Sequence, residues 1–181
     1  MKQILINEVP IPSQMVLAET VSRAKGLRSI ATKIFIQVNA KIGGSPWGFE
    51  NLPLCNVPTM ICGLEVFRKL KDKSQSILGW CASLDRFCSK FHSVAKLQGK
   101  DDSDVGKSVG VAACESIKKF KEVNKIAPKR MIIYREGVSE SQLDLMLSTE
   151  VTLMKEAIDK EFPGIQIIFC TVNSMVNARF Y

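Results

Sequence analysis

One histidine, two tyrosines and two tryptophans serve a chain of 181 residues. None of its six cysteines (Cys55, Cys62, Cys81, Cys88, Cys114 and Cys170) is paired at CxxC spacing. With His92 as the sole imidazole, that excludes the usual zinc and redox motifs. No apolar stretch approaches the roughly 18 residues that cross a bilayer. The amino terminus, MKQILINEVPIPSQ, has too short an apolar run for a secretory signal. Internal repeats and low-complexity segments are also missing. The expectation is a cytoplasmic or nuclear protein whose cysteines act as small buried hydrophobes in a reducing compartment.

What remains is ordinary in amount and basic in balance. Apolar residues make up 46% of the chain and charged residues 24%, enough for a real core in a globular protein. Twenty-five lysines and arginines against 18 acids give a net charge of +7. That excess permits a nucleic-acid partner, although scattered solubilising lysines give the same sum. The length suits one domain or one and a half.

Along the chain, the apolar run ILI near the start reads as a strand ended by Pro10 and Pro12, with Ser13 as a candidate helix cap. Between Gly26 and Gly43, Leu27, Ile30, Ala31, Ile34, Phe35 and Val38 recur at three- and four-residue spacing, which predicts an amphipathic helix. The Gly- and Pro-rich stretch 46–58 reads as a linker. From Thr59, MICGLEVF, SILGWCASLD and the less regular FCSKFHSVAKL read as strands, and GKDDSD as a polar loop. A helix follows over Val105–Val123, then the strand MIIY, a helix over about Ser139–Lys160, and a last strand IQIIFCTV. The predicted order after the linker is β-β-β-α-β-α-β, a mixed sheet packed against helices.

The sharpest motif is MIIYREGVSESQL, residues 131–143. Here an apolar strand ends in a charged pair, Arg135 and Glu136, before Gly137. A carboxylate at the carboxyl end of a central strand is where open α/β sheets carry chemistry. A second acid, Glu65, interrupts the apolar strand GLEV, where an unpartnered charge is costly. Ordinary readings also exist: Glu65 paired with a lysine such as Lys69, and Glu136 as a solvated turn residue or a partner of Arg135. Trp47 and Trp80 read as packing residues, and KKFKEVNKIAPKR as a mostly solvated basic helix face.

These segments resemble the Piwi/Argonaute family. MIIYREGVSESQL resembles its YRDGVSDGQ strand and turn, IATKIFIQVNAKIGGSPW resembles the helix and glycine turn that close its Mid domain, and VNARFY resembles its VNARFF segment. The likeness covers almost the whole chain. It implies the carboxy-terminal part of a Mid-like α/β domain over residues 1–45, the linker 46–58, and a ribonuclease H-like Piwi domain over 59–181, carboxy-terminally truncated. The amino-terminal and PAZ domains of such a protein are expected to be absent.

By the same resemblance, Gln14 and Lys41 match residues that hold the 5′ phosphate of a guide RNA. An amide and an ammonium group suit a phosphate, although a lysine in the last turn of a helix is also favoured by the macrodipole. Arg179 matches a contact to the RNA backbone. The metal-holding acids of the family's slicers correspond to Glu65, Glu136 and, by a looser alignment, Asp104. Each keeps its charge but changes length, Glu65 and Glu136 being one methylene longer and Asp104 one shorter. A fourth ligand would fall beyond Tyr181.

The resemblance therefore implies a protein that binds a small guide RNA and a complementary target RNA in RNA silencing without slicing. The alternatives are a nuclease that still works with Mg2+ between Glu65, Asp104 and Glu136, and a family fragment that does neither.

Overall fold

The computed structural model describes residues 4–22, 25–48, 52–53, 56–68, 76–98 and 102–173. Two compact units divide the chain, residues 1–48 and 49–181. In the first, helices α1 (Ala18–Val21) and α2 (Leu27–Lys41) are the regular α-helical elements described. The left-handed Gly26 (φ 85°) precedes α2, and Gly43 (φ 86°) follows it, so the two glycines supply the backbone reversals that bound the helix.

The strand expected near the amino terminus is not formed. Ile4–Glu8 makes a π-helical turn in which Val9 N–H donates to the Ile4 carbonyl at 2.9 Å. A strand needs a neighbour to satisfy its backbone, whereas this turn satisfies part of it locally. Ser13 caps no helix either, since the short α1 begins only at Ala18.

The second unit is built on a five-stranded sheet. Its strands are β1 (Thr59–Arg68), β2 (Ser76–Ser83), β3 (Phe91–Gln98), β4 (Arg130–Glu136) and β5 (Gln166–Val172). The spatial order is β3-β2-β1-β4-β5. β1–β2 and β2–β3 are antiparallel, while β1–β4 and β4–β5 are parallel. Helix α3 (Asp102–Asn124) connects β3 to β4. The stretch from β4 to β5 holds α4 (Leu143–Met146), a π-helical turn at Leu147–Val151, and α5 (Thr152–Glu161).

This is the mixed sheet with packed helices that the patterning predicts, with two corrections. Helix α3 starts at Asp102, so Asp104 lies in its first turn rather than in a loop; an acid there complements the positive end of the helix dipole. The helix expected over residues 139–160 is broken by the π-turn. Inside that segment the Thr149 and Thr152 hydroxyls donate to the carbonyls of Leu145 (2.6 Å) and Leu147 (2.9 Å). Such side-chain bonds compete with the helical ladder and accompany its widening. The segment opens with Ser139 donating through Oγ to Gln142 Oε1 at 2.9 Å, an S-x-x-Q pairing of the capping-box type.

The core lies on one face of the sheet. Alternate residues Met60, Cys62 and Leu64 of β1, Leu78 and Trp80 of β2, and Met131 and Ile133 of β4 are buried there. They meet Val109, Ala113, Ile117 and Phe120 of α3 and Met154 and Ile158 of α5. The buried indole of Trp80 donates from Nε1 to Ser116 Oγ at 2.9 Å, and His92 Nδ1 lies 3.0 Å from the same hydroxyl. Both residues therefore tie strands to α3, and Trp80 offers no surface for base stacking.

Helices α3 and α5 approach each other at Gly106 and Gly110. A Cβ on Gly106 would sit 2.5 Å from the Thr149 carbonyl oxygen, and one on Gly110 would sit 2.8 Å from Ala157 Cβ. In an exposed helix a Gly→Ala change gains about 1 kcal/mol. At Gly106 the obstacle is backbone and cannot rotate away, so overpacking decides the sign. Gly106→Ala is expected to lose about 1–3 kcal/mol, read as a lower urea midpoint with unchanged m-value.

Candidate functional site

Parallel pairing of β1 with β4 sets the site. Leu64 lies opposite Arg135, and one step further along both strands come Glu65 and Glu136. Neighbouring strands run about 4.8 Å apart, so the two carboxylates emerge side by side on the face opposite the core. Both are exposed, and both line one cavity of about 620 Å³ with Gly63, Gly79, Cys81 and Tyr134.

The structure thus brings together two of the three acids singled out in the sequence. The side chain of Asp104 lies outside the described residues, as do Lys69 and Arg179. Among the described residues, no group of three His, Cys, Asp or Glu side chains is arranged to hold a metal. Two adjacent glutamates supply the oxygen ligands that a hard cation such as Mg2+ takes. Glu65 and Glu136 are the residues that would hold it.

Arg135 does not pair with Glu136, contrary to one expectation. Alternation turns it to the core side, where it is only 6% exposed. There its Nε and Nη2 donate to the two carboxylate oxygens of Glu150 at 2.9 and 3.0 Å. Its Nη1 donates to the Glu136 carbonyl oxygen at 2.5 Å. The guanidinium therefore fastens three things: the end of β4, the turn at Gly137 (φ 80°), and the π-turn that carries Glu150. A separate cavity of about 270 Å³ lies beside this pair, lined in part by Gln142, Met146 and Thr149. Sequence reasoning passed over Glu150. The available signal was an arginine at a core-facing position of a strand, which demands an acid from another element.

In the first unit, Lys41 ends α2 and is exposed. Its Nζ donates to the Ser13 carbonyl oxygen at 2.5 Å, across 28 residues of sequence. Gln14 follows directly, its Nε2 donating to the Met15 carbonyl oxygen at 3.1 Å. Among the described residues, one N–H of the amide and two of the ammonium are left beyond these bonds. The contact between the loop and the helix end thus brings the Lys41 ammonium to the residue that precedes Gln14.

The Arg135–Glu150 pair buries two charges that satisfy each other. Glu150→Ala is expected to cost about 3–5 kcal/mol, because it leaves the guanidinium buried without its counter-charge. Replacing both partners, as in Arg135→Met with Glu150→Leu, should recover most of that loss. Urea unfolding of the two variants against wild type measures both values.

Comparison with known proteins fits this geometry. A family model described as the Piwi domain matches residues 1–181. The chain is 32% identical over 173 residues to the Piwi-like protein Siwi of Bombyx mori, covering 94% of this chain and 19% of that protein. It is 31% identical over 182 residues to Protein argonaute-3 of Drosophila melanogaster, covering 99% and 20%. The chain therefore spans about a fifth of the length of these relatives. Among solved structures, the MID-PIWI domains of N. crassa QDE-2 AGO superpose with a TM-score of 0.74 at 20% identity, over 91% of this chain and 50% of that one. Drosophila Piwi gives a TM-score of 0.69 at 24% identity, over 92% and 22%. The shared architecture is the ribonuclease H-like mixed sheet, and the chain belongs to the Piwi domain family.

Proposed function

We propose that this chain binds a small guide RNA by its 5′ phosphate, through Lys41 and Gln14, and pairs it with target RNA in RNA-guided silencing without cutting the target. The observation that supports this reading is the Lys41–Ser13 contact, which brings an ammonium group to the residue preceding Gln14. An amide and an ammonium group are the donors that an anionic oxygen requires. Structural neighbours include a Kluyveromyces polysporus Argonaute solved with a guide RNA. The basic balance of +7 suits a phosphate backbone. Arg179 belongs to the same proposal as a backbone contact.

Glu65 and Glu136 support the part of the reading that leaves the target intact. Two-metal phosphodiester hydrolysis holds its ions about 4 Å apart and aligns attacking and leaving oxygens between them. A bound divalent cation would supply activated water and charge neutralisation there. Each glutamate moves its carboxylate by a methylene relative to the aspartates of the family's slicers, and a 1 Å displacement costs on the order of 100-fold in rate.

The test is binding of a short single-stranded RNA with a 5′ phosphate or a 5′ hydroxyl at fixed salt. Wild type should prefer the phosphate, and Lys41→Ala should lose about tenfold or more of that preference, as for one charge-assisted bond of about 1.5–3 kcal/mol. Glu65→Gln should leave it unchanged. In the same mixtures with Mg2+, a complementary target should stay whole. Equal affinity for the two RNAs removes the phosphate pocket, and Mg2+-dependent target cleavage that disappears in Glu136→Gln restores the nuclease reading.

A further inference from the structure

The cavity beside the Arg135–Glu150 pair is bounded by the ends of β1 and β4 and by residues of α4 and the π-turn. Val66 and Arg135 reach it from core-facing strand positions, so it lies across the sheet from Glu65 and Glu136. It encloses about 270 Å³. A cavity of about 150 Å³ already takes a benzene ring, so a heteroaromatic base fits here. Val66, Val138 and Met146 give it apolar walls, and the exposed Gln142 and Leu145 mark the side that meets solvent.

Its polar groups are the informative feature. Arg135 carries five N–H groups, of which two are engaged by Glu150 and one by the Glu136 carbonyl oxygen. The other two have no partner among the described residues, although the side chain is only 8% exposed. Each Glu150 oxygen accepts one bond from Arg135 and keeps a further lone pair. Gln142 accepts from Ser139 through its carbonyl oxygen, so neither amide N–H has a partner among the described residues. The Thr149 hydroxyl donates to the Leu145 carbonyl, and its oxygen can still accept.

Buried polar groups left without partners are costly, so these donors and acceptors call for an occupant. Charge narrows the choice. Arg135 and Glu150 already balance each other, and an anion would lie against the carboxylate as a cation would against the guanidinium. The site therefore suits a neutral group that accepts at one atom and donates at the next.

We propose that this cavity binds a nucleobase through a lactam edge, a ring carbonyl beside a ring N–H, as in uracil and guanine. The carbonyl oxygen would accept from the spare N–H groups of Arg135, and the ring N–H would donate to Glu150 or Thr149. Val138 and Met146 would be its apolar neighbours. Lys41 and Gln14 belong to the other compact unit, so the proposal does not rest on their holding a 5′ phosphate.

Nucleosides are the probe, because without a phosphate they offer nothing to Lys41 and Gln14. Calorimetric titration of the 181-residue chain with uridine or guanosine should show saturable binding. The guanidinium N–H signals of Arg135 should move in NMR spectra over the same titration. Methylating the ring N–H, as in 3-methyluridine and 1-methylguanosine, should weaken binding about tenfold or more, equivalent to 1.4 kcal/mol. Leu145→Trp, which crowds the cavity from an exposed position, should weaken it as much, whereas Lys41→Ala should bind as wild type does. Thermal melts show whether Leu145→Trp is folded; if it is not, Gln142→Leu removes the amide donors from the same cavity. With binding established, a 5′-hydroxyl oligouridine that displaces uridine assigns the base to an RNA strand. Failure to displace it assigns the base to a free nucleoside. The proposal is overturned if neither nucleoside binds, or if the methylated forms bind equally well. It is also overturned if binding leaves the Arg135 signals unmoved, or if the folded cavity variant binds as wild type does.

Discussion

The parallel register of β1 and β4 is the constraint on which the second unit depends. Side chains alternate across a sheet, so pairing Leu64 with Arg135 turns both inward and sends Glu65 and Glu136 outward together. A slip of one residue would place a carboxylate in the core and lift Leu64 into water. The same register drives a guanidinium into the core, where it requires an acid. Glu150 meets that need from a widened helical turn, so the ion pair stabilises the end of β4 and the turn at Gly137 together. Core, ion pair and surface carboxylates are consequences of one alignment.

The two faces of the sheet are built to different rules. On one, large apolar side chains fill the space beneath α3 and α5, and glycines in α3 let the helices touch. On the other, Gly63 and Gly79 line the same cavity as the exposed Glu65 and Glu136. The first arrangement is explained by packing within the fold. In the other unit the Lys41 ammonium, at the end of α2, donates to the Ser13 carbonyl beside Gln14.

Much of this was legible in the residues. Alternation in β1 and the three- and four-residue spacing of α2 and α3 gave their positions within a few residues, because each element has one apolar face and one period. The acid that ends the strand in YREG was visible at its strand position, where β4 carries Glu136 as its last residue. Other features had no local signature. The run ILI has strand composition but forms a π-turn, since a strand exists only with a partner. The segment after Ser139 looked like one helix, since the wider turn is decided by hydroxyls competing for carbonyls. Glu150 lies 15 residues from Arg135, and its role became visible only when Arg135 was seen to face inward.

Sequence by itself determined the kinds of element, their order, and the family resemblance, because apolar period and short motifs are properties of neighbouring residues. It also determined that Glu65 and Glu136 carry charge at strand positions. Only the tertiary structure decided that these two stand side by side, that Arg135 answers to Glu150 rather than to its neighbour, and that Gly63 and Gly79 line the cavity beside them. Those outcomes depend on strand register and on which face each residue presents, and both are settled by contacts between segments far apart in the chain.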